Sequence, residues 1–207
     1  MKNAGIKTIV FWGAVWGILE ATLGWFMHLM HFKGEALVLY PMGLFCMMMA
    51  VRQSGQVSAA VKVAVVAALV KLVNLFMLPA VPVFHVTNPA VAIFLEGLVT
   101  WGFCVYMQKR TSVNISGLVL AVVMVFASIV LFRGCQIFMD TYVAYNPSVH
   151  KPYDAALLSR WAWHSLVQGL MLAGAVYLVR LVPASVNLST WTSRLAIPLL
   201  FVSILLN

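Results

Sequence analysis

The sequence predicts an all-α polytopic membrane protein: a bundle of six transmembrane helices, followed by a C-terminal helix that is either interfacial or a seventh span. Three observations carry this expectation. Of 207 residues, 63% are hydrophobic and only 9% are charged, with a mean hydropathy of +0.99; a soluble domain carries about 25% charged residues. The apolar residues gather into stretches close to the roughly 20 residues that a bilayer-crossing helix needs. Short separators rich in Gly, Pro, Asn and charge divide them. Seven Trp, six Tyr and twelve Phe suit a chain whose solvent is partly lipid.

The first stretch, residues 5–31, is too long for a signal-peptide core and contains Glu20, so it reads as a retained helix. Lys33-Gly34-Glu35 ends it, and a second helix covers residues 36–51. Arg52-Gln53-Ser54-Gly55 makes the next turn, before a third helix over 57–79. Pro79, Pro82 and Asn88-Pro89 mark a connection, which starts the fourth helix at 89 and runs it to 108. The fifth covers 115–141, Asn146-Pro147 and Lys151-Pro152 mark a longer loop, and the sixth covers 155–181. The tail, about 188–206, has a short apolar core containing Pro198, and fits either a span or an interfacial helix. Residues 1–207 therefore read as one integral membrane domain, with little length outside the bilayer for a nucleotide-binding or catalytic domain.

The net charge of +8 comes from basic residues scattered singly at segment ends, not from a run that would grip nucleic acid. These residues speak to orientation. With the amino terminus inside, cytoplasmic ends receive Lys2, Lys7, Arg52, Lys62, Lys109, Arg110 and Arg180, and the opposite side Lys33, Lys151 and Arg160. The expectation is a cytoplasmic (inner or plasma) membrane protein with a cytoplasmic amino terminus. Cys46, Cys104 and Cys135 are dispersed and form neither a disulfide framework nor a zinc motif; they read as packing residues.

Ionisable groups within a span are expensive, so their positions are the most informative. In the first helix Gly13, Gly17, Glu20, Gly24 and His31 fall at helical spacing, with His28 one turn beyond Gly24. Small residues four apart let a neighbouring helix approach closely. The third helix brings Lys71 and Asn74, and the fourth Glu96 and Thr100. The fifth brings Arg133, Gln136 and Asp140, and the sixth Arg160, His164 and Gln168. Each set forms a stripe that lipid would penalise, so the stripes are expected to face one another in the outer half of the bilayer. Three cations (Lys71, Arg133, Arg160) stand against three carboxylates (Glu20, Glu96, Asp140), so such a cavity could neutralise itself. The candidate ligand-binding residues are thus Glu20, Lys71, Asn74, Glu96, Arg133, Gln136, Asp140, Arg160 and His164, with aromatic walls from Trp25, Trp161, Trp163, Tyr142 and Tyr145.

His28 and His31, three apart, can present two imidazoles to one transition-metal ion, with His164 as a candidate third ligand. The bland alternative is two histidines meeting headgroups and water at a helix end. Leu19-Glu20-Ala21 and Leu95-Glu96-Gly97 recur in helices one and four, as an inverted three-plus-three repeat would have them. The chain has no G-x-S-x-G, H-E-x-x-H or P-loop motif.

In architecture, and through the small residues Gly13, Gly17 and Ala21, the chain resembles the substrate-binding S components of energy-coupling-factor (ECF) vitamin transporters. It has glycines where alanines are usual in that motif, and places Glu20 inside it. The resemblance implies a membrane subunit that captures a small solute or metal ion from outside. A transmembrane coupling partner would meet Gly13, Gly17 and Ala21, and separate subunits would hydrolyse ATP. Residues 81–88 or the 142–154 loop would then act as a lid. Two other classes fit the same residues: an intramembrane metal-dependent enzyme acting on a lipid or quinone, and an accessory subunit of a membrane complex whose polar residues pair structurally.

Overall fold

A computed structural model describes residues 2–24, 26–27, 30, 34–77, 82–110, 112–145, 149, 153–181 and 189–206. Seven helices organise these residues: α1 Lys2–Leu19, α2 Glu35–Ser54, α3 Ala59–Met77, α4 Val83–Met107, α5 Ile115–Tyr142, α6 Ala155–Leu181 and α7 Ser189–Leu206. A π-helical turn, Glu20–Gly24, prolongs α1. Five segments are long and apolar enough to cross a membrane: Gly5–Gly24, Leu37–Ser54, Val83–Met107, Ile115–Tyr142 and Ala155–Val179. The described residues form helices and connections with no strand, and the five long apolar helices suggest an integral membrane protein. In α7 the apolar stretch, Arg194–Leu206, is shorter.

Local chemistry sets the helix ends. At the end of α2, Gly55 adopts φ 68°, and its N–H donates to the Val51 carbonyl at 2.9 Å, the left-handed cap that glycine adopts without a Cβ penalty. Asn114 caps α5 by accepting from the Gly117 N–H at 3.0 Å, and Asp154 opens α6 by accepting from the Leu157 N–H at 2.7 Å. Two expected boundaries move. Helix α4 begins at Val83 rather than 89, so most of the candidate lid over 81–88 is its first turns. Pro89 lies inside the helix, where burial of Val86, Thr87 and Ala90 outweighs the hydrogen bond that proline cannot donate. The first helix is not one α-helical cylinder to residue 31. Regular α-geometry stops at Leu19, and the π turn carries more residues per turn, so the face drawn from Gly13 through Glu20 to Gly24 changes direction there.

The helices pack as a ring in the order α1, α2, α6, α5, α4, α3 and back to α1. Helix α2 also reaches inward to α3 and α4, and α7 lies along the outside of α1. The core is built on Trp16, Tyr40, Leu44, Met47, Phe103 and Leu172. Helix α5 turns Val119, Val123, Leu131 and Phe138 outward, as a lipid-facing helix must. Close approaches rest on glycine. A Cβ on Gly13 would stand 2.6 Å from the Val66 side chain of α3, and one on Gly169 would stand 2.8 Å from the Val122 Cα of α5.

Candidate functional site

Alternating helix directions bring the end of α1, the beginning of α2, the later part of α3 and the middle of α4 into one half of the bundle. That half holds the ionisable cluster. Glu20 opens the π turn. One α-helical turn earlier, the wholly buried indole of Trp16 donates its Nε1–H to Glu20 Oε1 at 3.2 Å. The hydroxyl of Thr22 donates to the Ile18 carbonyl at 2.8 Å, occupying an acceptor beside the turn. Gly24 leaves the other carboxylate oxygen room: a Cβ there would lie 3.9 Å from Glu20 Oε2.

Lys71 of α3 lies within electrostatic reach of Glu20, and Glu96 of α4 within reach of both Glu20 and Tyr40 of α2. A chain of electrostatic neighbours thus links two carboxylates, one ammonium and one phenol from four consecutive segments. Tyr40 is 2% exposed and Thr100, one turn beyond Glu96, is 0% exposed; neither hydroxyl has a hydrogen-bond partner among the described residues. Buried polar atoms are almost always paired, so two orphaned hydroxyls near half-buried Glu96 are a departure that needs an explanation. Chemically the arrangement offers carboxylate and hydroxyl oxygens in an apolar surround. Among the described residues no three His, Cys, Asp or Glu side chains come together as metal ligands.

The remaining stripes do not all join this cluster. Arg133 is engaged at the end of α5: Nη1 donates to Gln136 Oε1 at 3.3 Å, Nε donates to the Tyr153 hydroxyl at 3.2 Å, and Nη2 donates to the Val149 carbonyl. Its guanidinium also stands over the Tyr153 ring, 5.5 Å from the centroid. This ties α5 to the chain leading into α6. The guanidinium of Arg160 is exposed and donates to the Ala156 carbonyl of its own helix at 3.2 Å, so Arg160 is not brought to Glu20 and Glu96. Down α6 the stripe passes from exposed Arg160 through half-buried His164 to buried Gln168. Asp140 is half-buried near the end of α5. The expected balanced set of three cations and three carboxylates is thus divided, because α5 and α6 pair mainly with each other.

The side chain of Asn74 and residues His28 and His31 lie outside the described residues. Gly13 and Gly17 face this chain's own helices: Val66 and Val70 of α3, and Ser203 of α7, occupy the space where their Cβ atoms would be. Ala21 sits in the π turn. The surface that the S-component resemblance assigns to a partner is, at these two glycines, already covered by α3 and α7.

Trp16, Tyr40 and Tyr153 escaped the sequence reading. Trp16 precedes Glu20 by four residues, a spacing that could have flagged it; the other two are set by tertiary packing and leave no local signal. A cavity of about 300 Å³ opens at the opposite end of the bundle, lined by Met48, Arg52, Cys104, Met107, Val176 and Val179 among others. The Arg52 guanidinium donates there to the Val179 carbonyl at 3.5 Å, and the Cys104 thiol to Met48 Sδ at 3.6 Å. This hollow lies in the apolar half, away from the carboxylates. Set beside protein-family models, characterised proteins and solved structures, the chain matches none of them.

Proposed function

We propose that this protein is the solute-binding membrane subunit of an uptake transporter, and that Glu20, Lys71, Glu96 and Tyr40 form its binding site. One observation supports the reading: ionisable side chains from four segments lie within electrostatic reach inside the bundle, and the buried hydroxyls of Tyr40 and Thr100 have no hydrogen-bond partner among the described residues. Ionisable groups at membrane depth are costly and mark ligand or ion pathways. A purely structural cluster would satisfy its hydroxyls, because each orphaned polar group costs about 1–3 kcal/mol. A π turn at Glu20 adds support, since such turns concentrate at functional positions.

In this reading the amino terminus is cytoplasmic, the cluster faces the outer half of the bilayer, and energy for uptake comes from a partner. The partner's contact falls on a face other than the one that α7 covers. Arg133 ties α5 to Val149 and Tyr153, ahead of α6. The test is a thermal-stability screen of the detergent-purified chain against small polar solutes and metal ions. At a free concentration of 100 Kd a ligand adds about 2.7 kcal/mol to stability. The reading expects at least one hit, lost in Glu20→Gln and in Glu96→Gln. A screen without hits, or hits indifferent to both substitutions, overturns it.

A further inference from the structure

We propose that the hollow at the end of the bundle away from the carboxylates binds a single-chain fatty carboxylate, with its tail among methionine and valine side chains and its head at Arg52. This site is separate from the Glu20 cluster and does not rest on it. At about 300 Å³ the hollow stands at the lower end of the range for small-molecule pockets. The last two turns of α2, α4 and α6 wall it: Met48 and Arg52, Cys104 and Met107, Val176 and Val179. Apart from Arg52, each of these side chains is at most 8% exposed and is apolar or carries sulfur, so the interior suits a hydrocarbon tail. Polar groups stand at the rim. Arg52 is half-buried and its Nη1 donates to the Val179 carbonyl at 3.5 Å, and exposed Gln108 follows the last residue of α4. An apolar hollow with a few polar groups on one side is the lining that an amphiphile needs.

Charge selects the head group. The chain has five Asp and Glu residues, and none of them lines this hollow. Glu20 follows α1, Glu35 opens α2, Asp140 lies near the end of α5 and Asp154 precedes α6, which puts all four at the other end of the bundle. Glu96 is the fifth, and its place in the middle of α4 sets it about 18 Å along the helix from Gln108. Lys62, near the start of α3, and Lys109 and Arg110, just after α4, bring further positive charge to the end where α2 stops. The field at the rim is therefore positive. It repels a cationic amphiphile, and a neutral one gains nothing from the guanidinium. A carboxylate matches the planar fork of N–H donors that arginine presents. The volume admits one hydrocarbon chain, not the two of a membrane phospholipid.

The full chain, purified in nonionic detergent at a pH where the carboxylate is ionised, is titrated with decanoate, decanol or decyltrimethylammonium while its unfolding temperature is followed. A saturable rise with decanoate alone is expected. In Arg52→Gln the half-saturating concentration increases about tenfold or more, the size of a hydrogen bond to a charged group. Arg52→Lys, which keeps the charge and loses the fork, falls between the two. Val176→Phe fills the hollow and abolishes the rise; should that variant melt below the wild type before any addition, the Arg52 pair decides alone. An equal rise with all three amphiphiles marks a general detergent effect and overturns the proposal. So does the same half-saturating concentration in wild type and Arg52→Gln, or no rise with decanoate. Stabilisation by didecanoyl phosphatidylglycerol in preference to decanoate also overturns it, since the hollow would then take a lipid of two chains. The titration involves no residue of the Glu20 cluster, so its failure leaves the solute-site reading as it stands.

Discussion

Replacing Gly169 with alanine tests how tightly α5 and α6 are pressed together. The new Cβ would stand 2.7 Å from Val122 Cγ2, 2.8 Å from its Cα and 2.9 Å from its backbone nitrogen. That falls about half an ångström short of ordinary van der Waals contact, and two of the three obstacles are backbone atoms that no rotamer change can move. The helices must part, at an overpacking cost of about 1–3 kcal/mol. Alanine is also the better helix former by about 0.8–1.0 kcal/mol, which offsets part of that cost. Gly174 supplies the control: it lies on the same helix, and a Cβ there meets nothing within 4 Å. Gly174→Ala should therefore be neutral or stabilise by up to about 1 kcal/mol. The two variants should differ by about 1–3 kcal/mol, which for a chain of this size is a gap of several degrees in Tm. Tryptophan-fluorescence melting of both in the same detergent measures it. Equal melting temperatures, or a less stable Gly174→Ala, would refute the close α5–α6 seam.

Other substitutions probe the ionisable cluster and the helix ends. Lys71→Met removes the ammonium that lies within electrostatic reach of Glu20 and should lower Tm; adding Glu20→Gln should restore part of the loss, so the melting temperatures of the double-mutant cycle reveal the coupling. Trp16→Phe removes the indole N–H from Glu20 and should cost about 1.5–3 kcal/mol, read as a fall in Tm. Asn114→Ala removes the side-chain acceptor at the start of α5 and should cost about 0.5–2 kcal/mol, whereas Asn114→Ser should cost far less. Val176→Phe projects a ring into the cavity near Arg52 and Cys104; maleimide labelling of Cys104 should slow relative to the wild type if that hollow admits reagent.

Much of the helical layout is legible in the chain because lipid imposes one requirement everywhere: long apolar stretches bounded by turn residues. Ile115–Tyr142 and Ala155–Leu181 match their expected ranges almost residue for residue, since Asn114 and Asp154 are strong capping residues at clean polarity breaks. The start of α4 was misread because Pro89 looks like a helix boundary, while Val83, Phe84 and Val86 supply enough apolar surface to begin the helix two turns earlier. The π turn at Glu20 is invisible to any argument built on a fixed 3.6-residue period. Glu20, Lys71 and Glu96 stand out in the sequence as charges in greasy surroundings, and Lys71 and Glu96 both lie within electrostatic reach of Glu20. Tyr40 does not stand out, because a tyrosine in an apolar stretch reads as an interfacial ring until tertiary packing buries it. Periodicity assigns Arg133 and Arg160 to stripes, but it cannot say which neighbour a stripe meets, and the α5–α6 pairing took them elsewhere.

The five residues from Glu20 to Gly24 hold one amino acid more than an ordinary turn needs. Removing a single residue after Glu20 would let the hydrogen bonds close into regular α-geometry, at no loss of backbone bonding. Because the surplus residue is absorbed within the turn, the direction of the chain leaving it would change little, and Gly13 and Gly17 would keep their seats against Val66, Val70 and Ser203. Glu20 itself would stay four residues beyond the Trp16 indole. A one-residue deletion in this turn should accordingly be tolerated far better than the same deletion between Gly13 and Gly17, where every later side chain would swing by about 100°.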